Sequence, residues 1–258
     1  MKVQVLDHGY VELIECWGTG KAGVEDPHDA ANDFEAGIIE AARQSTQGSF
    51  RGWNTTPCSC DSTPHAKSCS YSPGDKQLLR YLYKHQHLTP FEFAGMVIEV
   101  QAPIFVFREW QRHRTQSYNE MSARYAPLPD INYVPTVERL LQQVTGSNKQ
   151  AAAVEGSRPF TIHEAEVFQD GLQDQYEEAQ EFYSNWLTLG VPKELARVCL
   201  PVGRYSRMRA STSLRNWLAF LTLRLDSTAQ WEIRQFAEAV SQLVAEKFPR
   251  TWELFCED

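Results

Sequence analysis

Between residues 162 and 189, Ala165, Phe168, Leu172, Tyr176, Ala179, Phe182, Tyr183 and Trp186 recur at the 3.6-residue period of an α-helix. A stripe sustained over that many turns predicts a long amphipathic helix, and its apolar face requires another layer to cover it. Strands come earlier in the chain. VQVLDHG and VELIEC read as two strands joined by a turn at Gly9, and FEFAGMVIEVQ, residues 91–101, reads as a buried strand ended by Pro103. GRYSRMRAS, beginning at Gly203, supplies a further strand. Other helices are predicted over 30–43, 75–87, 104–113, 192–201, 214–225 and 229–248. A few strands followed by long helices, without regular alternation, point to an α+β fold. Its expected form is a central mixed or antiparallel sheet with long helices, in one domain over residues 1–258.

Two stretches break the periodic pattern. Residues 45–74 are crowded with Ser, Thr, Gly, Pro and Cys, and residues 145–158, TGSNKQAAAVEGSR, carry turn residues without an apolar period; both read as inserted loops. In the first loop Cys58, Cys60, His65 and Cys69 form C-x-C-x4-H-x3-C. These residue types suit zinc, but the spacing is unlike paired C-x2-C knuckles, so the reading is a polar loop with free thiols and no metal. Six cysteines in 258 residues are too sparse for a secreted disulfide scaffold. The opening MKVQVLDHGYVELIEC places Asp7 and His8 where a signal peptide needs an apolar core, and no run approaches the ~18 apolar residues of a membrane span. The expectation is a cytoplasmic chain with no membrane partner.

With 33 acidic against 25 basic residues, the formal charge of −8 excludes a broad nucleic-acid-binding face. Any anion site must be local. Residues 108–125, REWQRHRTQSYNEMSARY, put four arginines, one histidine and two glutamates into 18 positions. On a helix Glu109 reaches Arg112 at i+3 and His113 at i+4. A guanidinium grips phosphate or paired carbonyls bidentately, so Arg112 and Arg114 suit a phosphorylated planar ligand. A solvated helix end, its cations facing the negative end of the dipole, accounts equally for the cluster.

Arg112-His113-Arg114 followed after seven residues by Ser122 makes RHRX7S, inside the longer pattern RHRxxSxNExSxRY. This segment resembles the signature of the flavin-dependent thymidylate synthases. HQHLTPFEF (85–93) is similar to the family's H-x-T-P-F-E segment, as are ARVCLP (196–201) and LRNWLAFLTLRLDSTAQWEIR (214–234) to later segments, in order from about residue 8 to residue 255. The resemblance implies a homotetramer with FAD at subunit interfaces, methylating dUMP to dTMP with methylenetetrahydrofolate as carbon donor and NADPH as reductant. It also implies hydride delivery from reduced flavin to carbon 6 of the pyrimidine, with no cysteine adduct.

Carried over by position, His87, Thr89, Arg112, His113, Arg114, Glu120, Ser213 and Arg215 resemble the flavin-holding residues. Glu109, Arg112, Glu120, Ser122, Ala123, Arg124, Arg197 and Arg224 resemble the nucleotide site, with Arg124 and Arg197 on phosphate. Ser122 is expected to orient the pyrimidine and Arg224 to stabilise the ring with nitrogen 3 deprotonated. Arg224, Ser122 and His113 form the expected catalytic group. The sequence departs from the family at Glu109, where some members have Gln, at Ser213 and Ala219, often Asn, and at Phe93, often His. Two other readings stay open: the same chemistry on another pyrimidine nucleotide such as UMP, and a non-catalytic nucleotide-binding homologue. Cys199, two residues after Arg197, points to a different helix face and reads as a packing residue. Arg204, Arg207 and Arg209 read as the solvated face of an edge strand, with an anion patch for a folate tail as the other account.

Overall fold

The structure is a computed structural model that describes residues 1–20, 33–53, 74–142 and 158–257. The Cys58–Cys69 pattern and most of the inserted stretches at 45–74 and 145–158 lie outside these residues. In chain order the elements begin with β1 (Lys2–Val5), β2 (Gly9–Trp17), α1 (Ala36–Arg43), α2 (Asp75–Lys84) and β3 (Gly95–Pro103). There follow α3 (Ile104–Trp110), β4 (Ser117–Glu120), α4 (Val137–Leu141), α5 (Ile162–Thr188) and α6 (Lys193–Ala196). β5 (Tyr205–Ser213), α7 (Leu214–Arg224), α8 (Trp231–Lys247) and α9 (Pro249–Cys256) complete them. The strands form one five-stranded antiparallel sheet in the order β1-β2-β3-β5-β4, so the expected α+β class holds.

β1 and β2 pair with Val3 opposite Val11 and Val5 opposite Gly9. Gly9 therefore belongs to the second strand rather than to the turn, which is carried by residues 6–8 with Leu6 at φ +57°. A Cβ on Gly9 would lie 2.6 Å from the Val5 carbonyl and 2.8 Å from the Phe236 ring, so the close approach requires glycine here. Residues 89–93 form a 3₁₀ turn instead of the start of a strand. Pro90 presets helical φ, and the Phe91 N–H bonds the Leu88 carbonyl at 3.1 Å while the Phe91 side chain is fully buried. The aromatic run there serves the core through a turn, and β3 begins only at Gly95.

The chain packs as two compact units, each assembled from three separate stretches of sequence. The first comprises Met1–Glu12, Ile98–Ala210 and Thr222–Ala239. Its longest helix, α5, opens with a reciprocal cap: the Glu164 N–H donates to Thr161 Oγ1 at 3.3 Å and the Thr161 N–H donates to the Glu164 carboxylate at 2.9 Å. Only Ala165 and Tyr183 of α5 are buried, and Phe168, Phe182 and Trp186 are exposed. Arg204, expected on a solvated edge strand, is fully buried just before β5. Its guanidinium donates to the Pro129 carbonyl (3.0 Å), Asp130 (2.6 Å) and Gln180 (2.8 Å), and β5 is an interior strand between β3 and β4. A guanidinium can be buried when fixed acceptors replace its water.

The second unit comprises Leu13–Val97, Ser211–Leu221 and Val240–Asp258. Its buried carboxylates are saturated. Glu35, with no exposed surface, accepts from the Thr251 N–H (2.6 Å), the Thr251 hydroxyl (2.7 Å) and Arg250 (3.1 Å). Burial raises its pKa, against the lowering pull of those partners. Asp75, equally buried, pairs with Arg43 and accepts from the Arg51 N–H.

Candidate active site

α3 ends at Trp110, and a tight turn carries the chain into β4. The His113 N–H bonds the Trp110 carbonyl at 3.0 Å, and Trp110 Nε1 donates to Gln116 Oε1 at 3.1 Å inside the core. The Tyr118 hydroxyl lies 3.1 Å from the Trp110 carbonyl and 2.8 Å from that of His113. This braced turn presents the arginine-rich stretch. The expected helix over 104–113 therefore stops three residues early, and β4, unforeseen in a segment dense with charge, begins at Ser117.

Arg224, at the end of α7, reaches two groups of that segment. Its Nη1 donates to Glu109 Oε2 at 3.2 Å, its Nη2 to the Glu109 carbonyl at 3.0 Å, and its Nε to His113 Nε2 at 2.9 Å. Because His113 Nε2 accepts, the imidazole is neutral with its proton on Nδ1. Burial and then the Arg224 charge push the His113 pKa down to about 4, with Glu109 pulling the other way. Glu109 and Arg224, expected in the nucleotide site, and His113, expected among the flavin-holding and catalytic residues, are thus one hydrogen-bonded group.

Beside α3 lies a cavity of about 430 Å³. Glu120, Ser122, Ala123 and Arg197, all expected in the nucleotide site, line it. So do Arg108, Gln111 and Ser206, which no sequence pattern marks as site residues. Gln111 Nε2 donates to Glu120 Oε2 at 3.1 Å, tying the end of α3 to β4 across the wall. A concave site with two guanidiniums, one carboxylate and several neutral polar groups suits an anionic, hydrogen-bonding ligand.

Other expected residues sit apart from this lining. Arg112 and Arg114 are exposed on the turn. Arg124 is turned to Glu194 in an exposed ion pair of 3.1 Å. In the second unit His87 and Thr89 are exposed, Arg215 pairs with Glu92, and Ser213 Oγ is buried without a partner among the described residues. Ala219 is exposed. Cys199 Sγ lies 3.2 Å from the Ala196 carbonyl and 3.7 Å from that of Ala179, a packing environment rather than one that would activate a thiol.

The family profile for thymidylate synthase complementing proteins matches residues 28–250. Curated proteins named flavin-dependent thymidylate synthase match nearly the whole chain. The Thermotoga neapolitana protein is 33% identical over 255 residues, covering 99% of this chain and 94% of its own. The chain belongs to the flavin-dependent thymidylate synthase family. The Thermus thermophilus synthase is 34% identical over 257 residues, covering 100% of this chain and 79% of its own, and the Dictyostelium discoideum synthase is 41% identical over 183 residues, covering 71% and 58%. Among solved structures, the UMP/dUMP methylase PolB from Streptomyces cacaoi bound with 5-Br UMP superposes with a TM-score of 0.73 at 29% identity, covering 99% of this chain and 97% of that one. The same methylase bound with 5-Br dUMP gives 0.72 at 30% identity, with equal coverage.

Flavin-dependent thymidylate synthases are methyltransferases that use FAD, with NADPH and methylenetetrahydrofolate as co-substrates. The donors present here fit a pyrophosphate-bearing cofactor. Arg112 and Arg114 keep exposed guanidiniums. Among the described residues no cluster could hold a metal ion, and no helix is long and apolar enough to cross a membrane.

Proposed function

We propose that this chain converts dUMP to dTMP by flavin-dependent reductive methylation, without a cysteine nucleophile. The observation that carries the reading is the Arg224–His113–Glu109 group together with the polar cavity that includes Ser122 and Arg197. In this reading Arg197 holds the phosphate, joined by Arg124 once it leaves Glu194, while Ala123 leaves room at the wall. Ser122 and Glu120 orient the pyrimidine, and Arg112 serves nucleotide and flavin together. Arg224 stabilises negative charge on the ring, a task for a donor that stays protonated throughout. Neutral His113 fixes the guanidinium without competing for its charge. Bound flavin would supply the hydride for carbon 6, with NADPH as reductant and methylenetetrahydrofolate as the carbon source. The flavin would be held by His87, Thr89, Arg112, His113, Arg114, Glu120, Ser213 and Arg215.

A homotetramer is part of the proposal. The exposed Phe168, Phe182 and Trp186 on α5 support it, since a helix with this stripe calls for a covering layer that the described residues of one chain do not provide. The free thiols of Cys16, Cys199 and Cys256 support a reducing, cytoplasmic setting. The second reading, methylation of UMP, is favoured by the likeness to a methylase named for both UMP and dUMP. The test is anaerobic turnover of purified protein. NADPH should bleach the flavin, and dUMP with methylenetetrahydrofolate should yield dTMP. Methylated UMP as the sole product would favour the second reading, and a colourless protein giving no product would contradict both.

A further inference from the structure

Ser206 lines the 430 Å³ cavity, yet its side chain is 1% exposed and its Oγ has no hydrogen-bond partner among the described residues. A buried hydroxyl left unbonded is destabilising, so its place in the wall calls for a reason. The strand register supplies one. The Met121 N–H donates to the Arg207 carbonyl at 2.7 Å, continuing the β4–β5 pairing one residue past Glu120. The antiparallel register that joins 121 to 207 sets Glu120 opposite Met208 and ends there, since the Tyr205 N–H bonds the Ile131 carbonyl; Ser122 and Ser206 are the next residues on the two chains where they part. Gln111 Nε2, which bonds Glu120 and lies 3.9 Å from the Met208 sulfur, fits that register. Both serines line the cavity at this point.

A serine hydroxyl has one proton and two lone pairs. Ser122 Oγ already accepts from the Arg124 N–H at 3.3 Å. If Ser206 donates to its second lone pair, both acceptor sites are filled and the only remaining direction for the Ser122 proton is into the cavity. We infer that Ser206 is a positioning residue: with nucleotide bound, its hydroxyl bonds Ser122 and aims the Ser122 O–H at an acceptor on the pyrimidine nucleotide. This inference rests on the nucleotide reading of the cavity given above.

The experiment is a double-mutant cycle on dUMP affinity, measured by calorimetry with FAD-loaded protein, together with melting temperatures without nucleotide. Ser206→Ala should weaken dUMP binding about five- to tenfold, as expected for loss of one hydrogen bond in a buried network. It should leave the nucleotide-free melting temperature equal or higher, because an unbonded buried hydroxyl has been removed. Ser206→Thr, which keeps the hydroxyl, should restore affinity to within about twofold. In a Ser122→Ala background, Ser206→Ala should have almost no further effect. Additive losses, or wild-type affinity in Ser206→Ala, would overturn the inference while leaving the proposed function standing. Wild-type protein that binds no dUMP would overturn both.

Discussion

Two charged regions of this molecule are built from the same residue types and treated in opposite ways. In the second unit Glu35, Asp33, Arg250 and Thr251 are locked together: every oxygen of the Glu35 carboxylate has a donor, Trp53 Nε1 donates to Asp33, and the Trp53 ring lies 4.1 Å from the Arg250 guanidinium. In the first unit the cavity carries exposed Arg108 and Arg197 and a Ser206 hydroxyl with no partner among the described residues, and the Arg224 group is only partly buried. Saturated charge holds the chain together. Charge and polar groups left with open valences are available to a ligand, and that difference, rather than the number of arginines, separates scaffold from site.

Breaking the saturated cluster should have the largest effect on the fold. Glu35→Ala leaves the buried Thr251 donors unbonded and takes one of its two partners from the half-buried Arg250, and should cost about 1–3 kcal/mol for each stranded donor in urea unfolding. The protein that remains folded should keep its nucleotide affinity. Loss of affinity without loss of stability would mean that the cluster belongs to the site. On the other side of the comparison, Arg224→Ala should lower the rate of dTMP formation by about 10²- to 10³-fold, the usual scale for removing a donor aimed at developing charge. Its flavin absorbance and urea midpoint should stay near wild type, because Arg224 is only partly buried and its partners Glu109 and His113 can reach water.

His113 sharpens the contrast through pH. Its pKa is about 4 in the folded protein against an ordinary 6.5, so below pH 6.5 the unfolded chain takes up a proton that the native chain refuses. The contribution of this residue is fully present above pH 6.5, shrinks as pH falls toward 4 and is gone below it. A pH series of melting temperatures should therefore fall less steeply between pH 6.5 and 4 for His113→Gln than for wild type. Identical slopes would mean that burial and the Arg224 charge do not hold the imidazole neutral. The smallest effect is expected at Cys199, whose thiol faces backbone carbonyls. Cys199→Ala should retain dTMP formation within about threefold, since a thiol in that setting is not activated as a nucleophile. Folded, flavin-loaded variant with no product would mean that a thiol adduct is required.

Much of the architecture was legible because the apolar period tells helix from strand. The 3.6-residue stripe of α5, the Leu214–Leu221 stripe of α7 and the short strand runs all map to elements of the expected kind. The failures have physical causes. An aromatic run with Pro90 at its head turns in a 3₁₀ helix, and β4 is a strand written in polar residues because its partner β5, not its own apolar content, holds it. Arg204 was misplaced because periodicity cannot see that Asp130, Gln180 and the Pro129 carbonyl converge on one point. The motif marks Ser122 and Glu120, which line the cavity, and the resemblance marks His113 and Arg224, which bond each other. Arg108, Gln111 and Ser206 enter the cavity only through helix placement and strand register, which no local pattern encodes.

Whether the open-valence region of the first unit takes the nucleotide is decided by dUMP titration of folded Arg197→Ala. Arg197 is exposed, lines the cavity and spends its Nε on a long 3.4 Å bond to the Glu194 carbonyl, so its loss should leave the melting temperature unchanged. Affinity for dUMP should fall at least about tenfold, as for loss of a charge-assisted phosphate contact, while affinity for phosphate-free deoxyuridine stays the same. Equal dUMP affinity in wild type and Arg197→Ala would contradict the assignment of this cavity to the nucleotide.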